Sequence, residues 1–151
     1  MKPEPARVLQ GVGMTLVTSV LGEIKTAYGQ QTVTVAGGLV FMVADEFDRA
    51  ADRLVVENAI VRDILADALT LLSPPLVGRV EKAIATRADS YKVSALQAEN
   101  DALRGALVDV HAAVDAIDSD EDKAAAQAFG ERIWAELVAS TRRREFATRL
   151  G

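Results

Sequence analysis

One stretch, Val93 to Ile117, restricts the chain more than any other. Val93, Leu96, Asn100, Leu103, Leu107, Val110, Val114 and Ile117 recur at alternating steps of three and four residues. That spacing keeps one seam of an α-helix turned toward a partner. Seven of the eight positions are apolar. Asn100 is the polar exception, and a single asparagine in such a seam fixes register at some cost in stability.

The same pattern occurs earlier in the chain. Leu54 to Asp67 aligns with Leu96 to Asp109 at a constant offset of 42, with identity at the two leucines, Glu57/Glu99, Asn58/Asn100, Arg62/Arg104 and the aspartates. With each asparagine at heptad position a, Glu57 and Glu99 fall at g and Arg62 and Arg104 at e. In a parallel pair a g residue meets the partner's e residue five places on. The expected contacts are therefore Glu57 to Arg104, Glu99 to Arg62 and Asn58 to Asn100, if the two segments lie side by side within one chain. Alternatively, the later helix zips against its own copy, Asn100 opposite Asn100 and Glu99 opposite Arg104. Ordinary bundle packing is the third arrangement. Exposed g to e pairs would select register, contributing about 0.2 to 1 kcal/mol each, while apolar burial holds the assembly.

The rest of the chain reads as helix. Pro3 and Pro5 suit the entry of a first helix, whose stripe of Leu9, Val12, Leu16, Val20, Ile24 and Ala27 runs to about Tyr28 and Gly29. Gly11 and Gly13 leave room for close helix contact. A long second helix is expected from Thr32 or Val33 to Leu72, with Thr32 as cap, a weak point at Gly37 and Gly38, and a buried side of Val40, Val43, Phe47, Ala51, Leu54, Asn58, Val61 and Leu65. Ser73-Pro74-Pro75 stops it and opens a short third helix carrying Leu76, Val80, Ala83 and Ile84. The fourth spans Ser90 to Ile117. Ser119, Asp120, Glu121 and Asp122 then start a fifth through Phe129, Ile133, Trp134, Leu137, Val138 and Thr141 toward Phe146 and Leu150. Arg142, Arg143 and Arg144 are expected as a solvated, dipole-complementing helix end. The fold class is thus all-α: a single domain over residues 1–151, a bundle of about five helices with coiled-coil-like helices two and four, expected to oligomerise.

Composition narrows the function. The 151 residues contain no cysteine, which excludes disulfides and thiolate chemistry and fits a cytoplasmic, reducing setting. With 17 Lys and Arg against 22 Asp and Glu, the net charge of -5 argues against a nucleic-acid surface. The apolar runs, such as Val33 to Ala44, are too short for a membrane span of roughly 20 residues, and polar residues dilute the N-terminal apolar region that a signal peptide would need.

Catalytic groups are sparse. His111 is the only histidine, and with Asp109 and Asp115 as its local neighbours it reads as a residue flanking an interface. Asp45, Glu46, Asp48 and Asp52 read as a solvated acidic face, without the histidine or glycine-centred loop of a metal site. No metal, cofactor or catalytic residue is expected. These features predict a non-catalytic interaction or accessory protein whose partner is itself, with another protein as a further candidate. The alternative is a small-molecule binder in which Leu39 to Phe47 and Trp134 enclose an aliphatic ligand.

Overall fold

Thr26 opens the longest helix of the protein. In the computed structural model, which describes residues 3–119 and 122–146, its hydroxyl accepts the Gly29 amide at 3.2 Å and its carbonyl the Gln30 amide at 2.9 Å. These bonds satisfy donors that a helix start otherwise leaves orphaned. Upstream lie α1 (Pro5–Thr15), a π-helical turn (Leu16–Val20) and the short α2 (Leu21–Glu23). Ile24 is extended (φ -82°, ψ 120°) and ends that arm. The long helix, α3, covers Ala27–Ala68 and closes in a 3₁₀ turn, Leu69–Leu71. Then come α4 (Pro74–Ala85), α5 (Val93–Asp115) and α6 (Lys123–Arg143). Among the described residues there is no strand, and no helix is long and apolar enough to cross a membrane.

The all-helical fold agrees with the periodicity, but several boundaries move. The first helical arm ends at Glu23 rather than near Tyr28, and α3 starts at Ala27 rather than Thr32, because Thr26 provides the cap. Thr32 and Thr34 instead lie inside α3, where their hydroxyls donate to the Tyr28 and Gln30 carbonyls at 2.9 Å each. This back-bonding satisfies both hydroxyls within the helix. Gly37 and Gly38 do not interrupt α3. They are buried, and a Cβ at Gly37 would come within 2.6 Å of Val17 Cγ1, so the glycine serves close approach of two helices. Ser73 precedes α4 without a side-chain cap bond. Helix α6 stops at Arg143 and does not reach Phe146; Leu150, Asp120 and Glu121 lie outside the described residues. Ser119 does organise the turn before α6, accepting the Asp122 amide at its hydroxyl (3.3 Å) and the Lys123 amide at its carbonyl (3.0 Å).

Contacts divide the chain into two units, one made of the described residues up to Ala50 with Glu145 and Phe146, the other of Ala51–Arg144. The second unit holds the hydrophobic core. Val61, Ile64, Leu65 and Ala68 of α3 pack with Val80 and Ala83 of α4, Leu103, Leu107, Val110 and Val114 of α5, and Ala126, Phe129 and Ile133 of α6. Thus α5 sits between α4 and α6. Of the heptad positions, Leu96, Asn100, Leu103, Leu107, Val110 and Val114 are buried, Ile117 is partly buried and Val93 is exposed at the first turn. Trp134 and Val138, two of the residues that mark this helix in the sequence, are half exposed or more; the buried row of α6 runs through Ala126, Phe129, Ile133, Glu136 and Ser140.

The first unit is built differently. Among its described residues the buried ones are Gly13, Gly37, Gly38, Ala44 and Ala50, and the ring of Phe41 lies where a Cβ at Gly13 would come within 3.1 Å. Val43 and Phe47, expected on the buried side of the long helix, are exposed. The inward row passes through Gly37, Phe41 and Ala44 instead, because small residues let the helices meet there.

Gly37→Leu is expected to force α1 and its π-helical turn away from α3 and to raise the rate of limited proteolysis between residues 16 and 26 several-fold. An unchanged cleavage pattern would contradict the close approach of Val17.

Candidate functional site

The most elaborate polar arrangement in the molecule sits where α3 and α5 run side by side. Helical phase places Glu57 and Asn58 of α3, and Glu99 and Asn100 of α5, on buried faces. Asn100 Nδ2 donates to Asn58 Oδ1 at 2.8 Å, and Asn58 Nδ2 donates to the Leu96 carbonyl at 3.1 Å. On one side Arg104 Nη2 meets Glu57 Oε2 at 3.1 Å; on the other, Arg62 Nη2 pairs with Glu99 Oε1. Exchanging each residue with its counterpart 42 places along the chain converts one bridge into the other. Asn100 therefore faces Asn58 of its own chain.

The surroundings of the two bridges differ. Arg62 is held by α3 and by the connection after α4: its Nη1 donates to the Asn58 carbonyl, Nε to Ile84 O and Nη2 to Thr86 O, each within 3.2 Å. Glu99 Oε2 accepts the Ala88 amide at 2.7 Å. Glu99 thus ties the irregular segment after α4 to α5. Around Glu57 the extra partners come from α6 and its end. Ser140 Oγ donates to Glu57 Oε1 at 3.0 Å, and Arg144 Nη2 to Oε2 at 2.7 Å. Arg143 Nε lies 3.7 Å from Glu57 Oε1 while its Nη2 bonds Glu136. Arg104 completes the set, donating Nε to Asn100 Oδ1 at 3.0 Å and Nη2 to Ser140 Oγ at 2.6 Å.

Two sequence expectations are corrected here. The glutamate–arginine pairs are not exposed ion pairs, since Glu57 has no solvent-accessible side-chain surface and that of Glu99 is 7% accessible. Nor is the arginine run a purely solvated helix end, because Arg143 and Arg144 supply counter-charge to buried carboxylates. Ser140 and Glu136 were missed altogether. Their signal was present in retrospect: both fall on the row Phe129, Ile133, Glu136, Ser140 that α6 buries.

Burial alone would push the Glu57 carboxyl up. Hydrogen bonds from Arg144 and Ser140, the charge of Arg144 and the bond from Arg104 outweigh it, lowering the value from 4.5 to about 2. The arrangement is suited to holding helices together. Every Glu57 oxygen is engaged by protein donors, leaving no geometry for proton transfer to a substrate. Elsewhere, His111 lies edge-on to Trp134 (centroids 5.6 Å, interplanar angle 82°), with Nε2 3.7 Å from Asp115. Among the described residues, no group of three or more His, Asp or Glu side chains gathers as a metal site. Asp45 pairs with Arg49 at 2.8 Å, while Asp48 and Asp52 are exposed. Leu39, Val43, Phe47 and Trp134 are each more than half exposed.

Glu57 loses its proton more readily in the folded chain than in the unfolded one. Between about pH 5 and 2 the unfolded chain therefore binds more protons, and stability falls as pH falls through that window. The stabilisation present above it is about 3 kcal/mol. Glu57→Gln is expected to remove a comparable amount at pH 7 and to converge with the parent chain as pH approaches 2, read from urea unfolding at several pH values. Asn100→Leu alone leaves Asn58 Oδ1 without its donor and Arg104 Nε without its acceptor and should cost about 1 to 3 kcal/mol. Asn58→Leu with Asn100→Leu should be less damaging than the sum of the single changes by about 0.5 to 3 kcal/mol.

Comparison of the chain with protein families, with curated proteins and with solved structures found no match to any of them.

Proposed function

We propose that the protein is a non-catalytic helical interaction or accessory protein that self-associates through apolar helix surface. One observation supports this reading above the others. Among the described residues of the first unit, the buried ones are glycines and alanines, while Val35, Leu39, Val43 and Phe47 of α3 are 53% to 57% exposed. Val8, Val12 and Met14 of α1 are similarly exposed. From Val8 to Ala44 the only charged residues are Glu23 and Lys25. Large apolar side chains exposed at that density are characteristic of a surface completed by association.

The α5 seam has a different part in this proposal. Its asparagine and leucines are satisfied by α3, α4 and α6 of the same chain, so the coiled-coil-like register serves the fold, and the association surface is sought in the first unit. The chemical groups of the second unit support a structural part as well, since its buried carboxylates are engaged by arginines, hydroxyls and backbone amides. An absence of cysteine suits a cytoplasmic location.

Sedimentation velocity from 1 to 50 μM is expected to show a concentration-dependent species heavier than the 151-residue chain. A single monomeric species across that range would remove the proposal.

A further inference from the structure

Glycine weakens the interior of a helix relative to alanine, and Gly130 lies within α6 without either usual reason for one. Its φ is not positive, and nothing lies within 4 Å of a Cβ built there. Gly13 and Gly37, by contrast, meet Phe41 and Val17 at 3.1 and 2.6 Å. Gly78 and Gly105 also have room, but they face solvent, whereas Gly130 is buried. The unfilled space belongs to a groove of about 320 Å³ beside α5 and α6. Val114 and Ile117 give it an apolar wall, Trp134 stands one turn beyond Gly130, and Asp115 and Glu131 bring two carboxylates to it. We infer that this groove binds the trimethylammonium head of an organic cation, with the Trp134 indole as its aromatic wall and Asp115 and Glu131 as its counter-charge. The inference is independent of the self-association proposed above.

A long helical side chain leans toward the N-terminus of its helix, so Trp134 covers the turn that starts at Gly130. His111 holds the indole from α5, edge-on, with centroids 5.6 Å apart and planes at 82°. The tryptophan nevertheless stays 60% exposed. An indole face is the strongest aromatic partner for a cation. A larger side chain at Gly130 would fill the space beside the ring, and the glycine leaves it open.

Charge decides the kind of ligand. The Asp115 side chain is 68% exposed, and its Oδ2 is 3.7 Å from His111 Nε2, beyond hydrogen-bond reach. Glu131 is exposed; its Oε1 accepts Gln127 Nε2 at 3.2 Å, and among the described residues no cation pairs with it. Lys123 also lines the groove, but its Nζ is 3.3 Å from Asp118 Oδ1, outside the lining. An anion would therefore meet two carboxylates and one ammonium already engaged. A neutral aliphatic ligand would set both carboxylates beside hydrocarbon. A primary ammonium is compact and strongly hydrated, whereas methyl groups present the charge through an apolar surface that suits Val114, Ile117 and the indole. The volume is at the lower end of the range of small-molecule sites, about 300 to 1,000 Å³. With a single aromatic wall the affinity is on the order of 1 mM.

Trp134 is the chain's single tryptophan, so its fluorescence reads the groove directly. Choline chloride, titrated against sodium chloride of equal ionic strength, should give a saturable change. The uncharged alcohol in which carbon replaces the choline nitrogen should give none. Gly130→Leu should abolish the choline response while retaining or raising the thermal midpoint, since it fills the groove and favours helix. Asp115→Asn with Glu131→Gln, both at exposed positions, should raise the choline Kd several-fold with the midpoint retained. A peptide carrying trimethyllysine, compared with its unmodified form, distinguishes the source of the cation. Binding tighter than that of choline assigns it to a protein side chain, binding no tighter assigns it to a free small molecule, and either result supports the site. No saturable response to choline, equal binding of the uncharged alcohol, or a response unchanged by Gly130→Leu and by the paired carboxylate variant would overturn the inference. A saturable response to sulfate without one to choline would overturn it in favour of an anion at Lys123.

Discussion

Burying a carboxylate without water demands that the protein replace its hydration, and in the unit from Ala51 to Arg144 the Glu57 carboxylate makes that demand of three helices at once. Its partners are Arg104 of α5, Ser140 of α6 and Arg144 just beyond α6. Arg104 approaches from one helix, and Ser140 and Arg144 from another and its C-terminal cap. A buried ion pair is a weak source of net stability compared with apolar packing, but a removed partner leaves a costly unpaired charge. The aliphatic core supplies most of the holding energy, and the Glu57 and Glu99 networks restrict which helix faces can meet.

The asparagine pair adds a restriction along the helix axis. Sliding α5 by one heptad against α3 would keep leucines facing leucines and would separate Asn58 from Asn100, placing two amides against hydrocarbon. Arg62 and Arg104 would lose their glutamates in the same movement. Register is thus enforced by polar groups and affinity by apolar ones. The unit up to Ala50 follows another rule. There glycine and alanine set the helix spacing, Phe41 and Val17 pack over the glycines, and Val35, Leu39, Val43 and Phe47 face outward.

How much of this was readable depended on whether the information lay along one helix or across several. The repeat of Leu54 to Asp67 at Leu96 to Asp109 carries heptad geometry that, in one of the three arrangements it allows, pairs Glu57 with Arg104, Glu99 with Arg62 and Asn58 with Asn100. Periodicity also located the buried residues of α5 from Leu96 to Val114. What it did not convey was depth. Ser140, Glu136 and the arginines after it look like ordinary surface residues of a helix end, and only the packing of α6 over Glu57 turns them inward. The start of α3 was misplaced for a local reason, because Thr26 and Thr32 are equally good caps in isolation. Val43 and Phe47 were assigned to the interior because hydrophobicity marks a side chain that avoids water without telling which surface will cover it.

The wide spacing of Glu57 and Arg144 along the chain has a bearing on synthesis. A nascent chain can form the Asn58 and Asn100 contact, with Arg62 on Glu99 and Arg104 on Glu57, as soon as α5 has emerged. Until Ser140 and Arg144 follow, Glu57 keeps water or a single arginine for company, and closing the core over it would be unfavourable. Two of the three side chains that hydrogen-bond Glu57 come from α6 and its end. The acid that lies beside the register-setting asparagines between α3 and α5 therefore also depends on α6 for its partners.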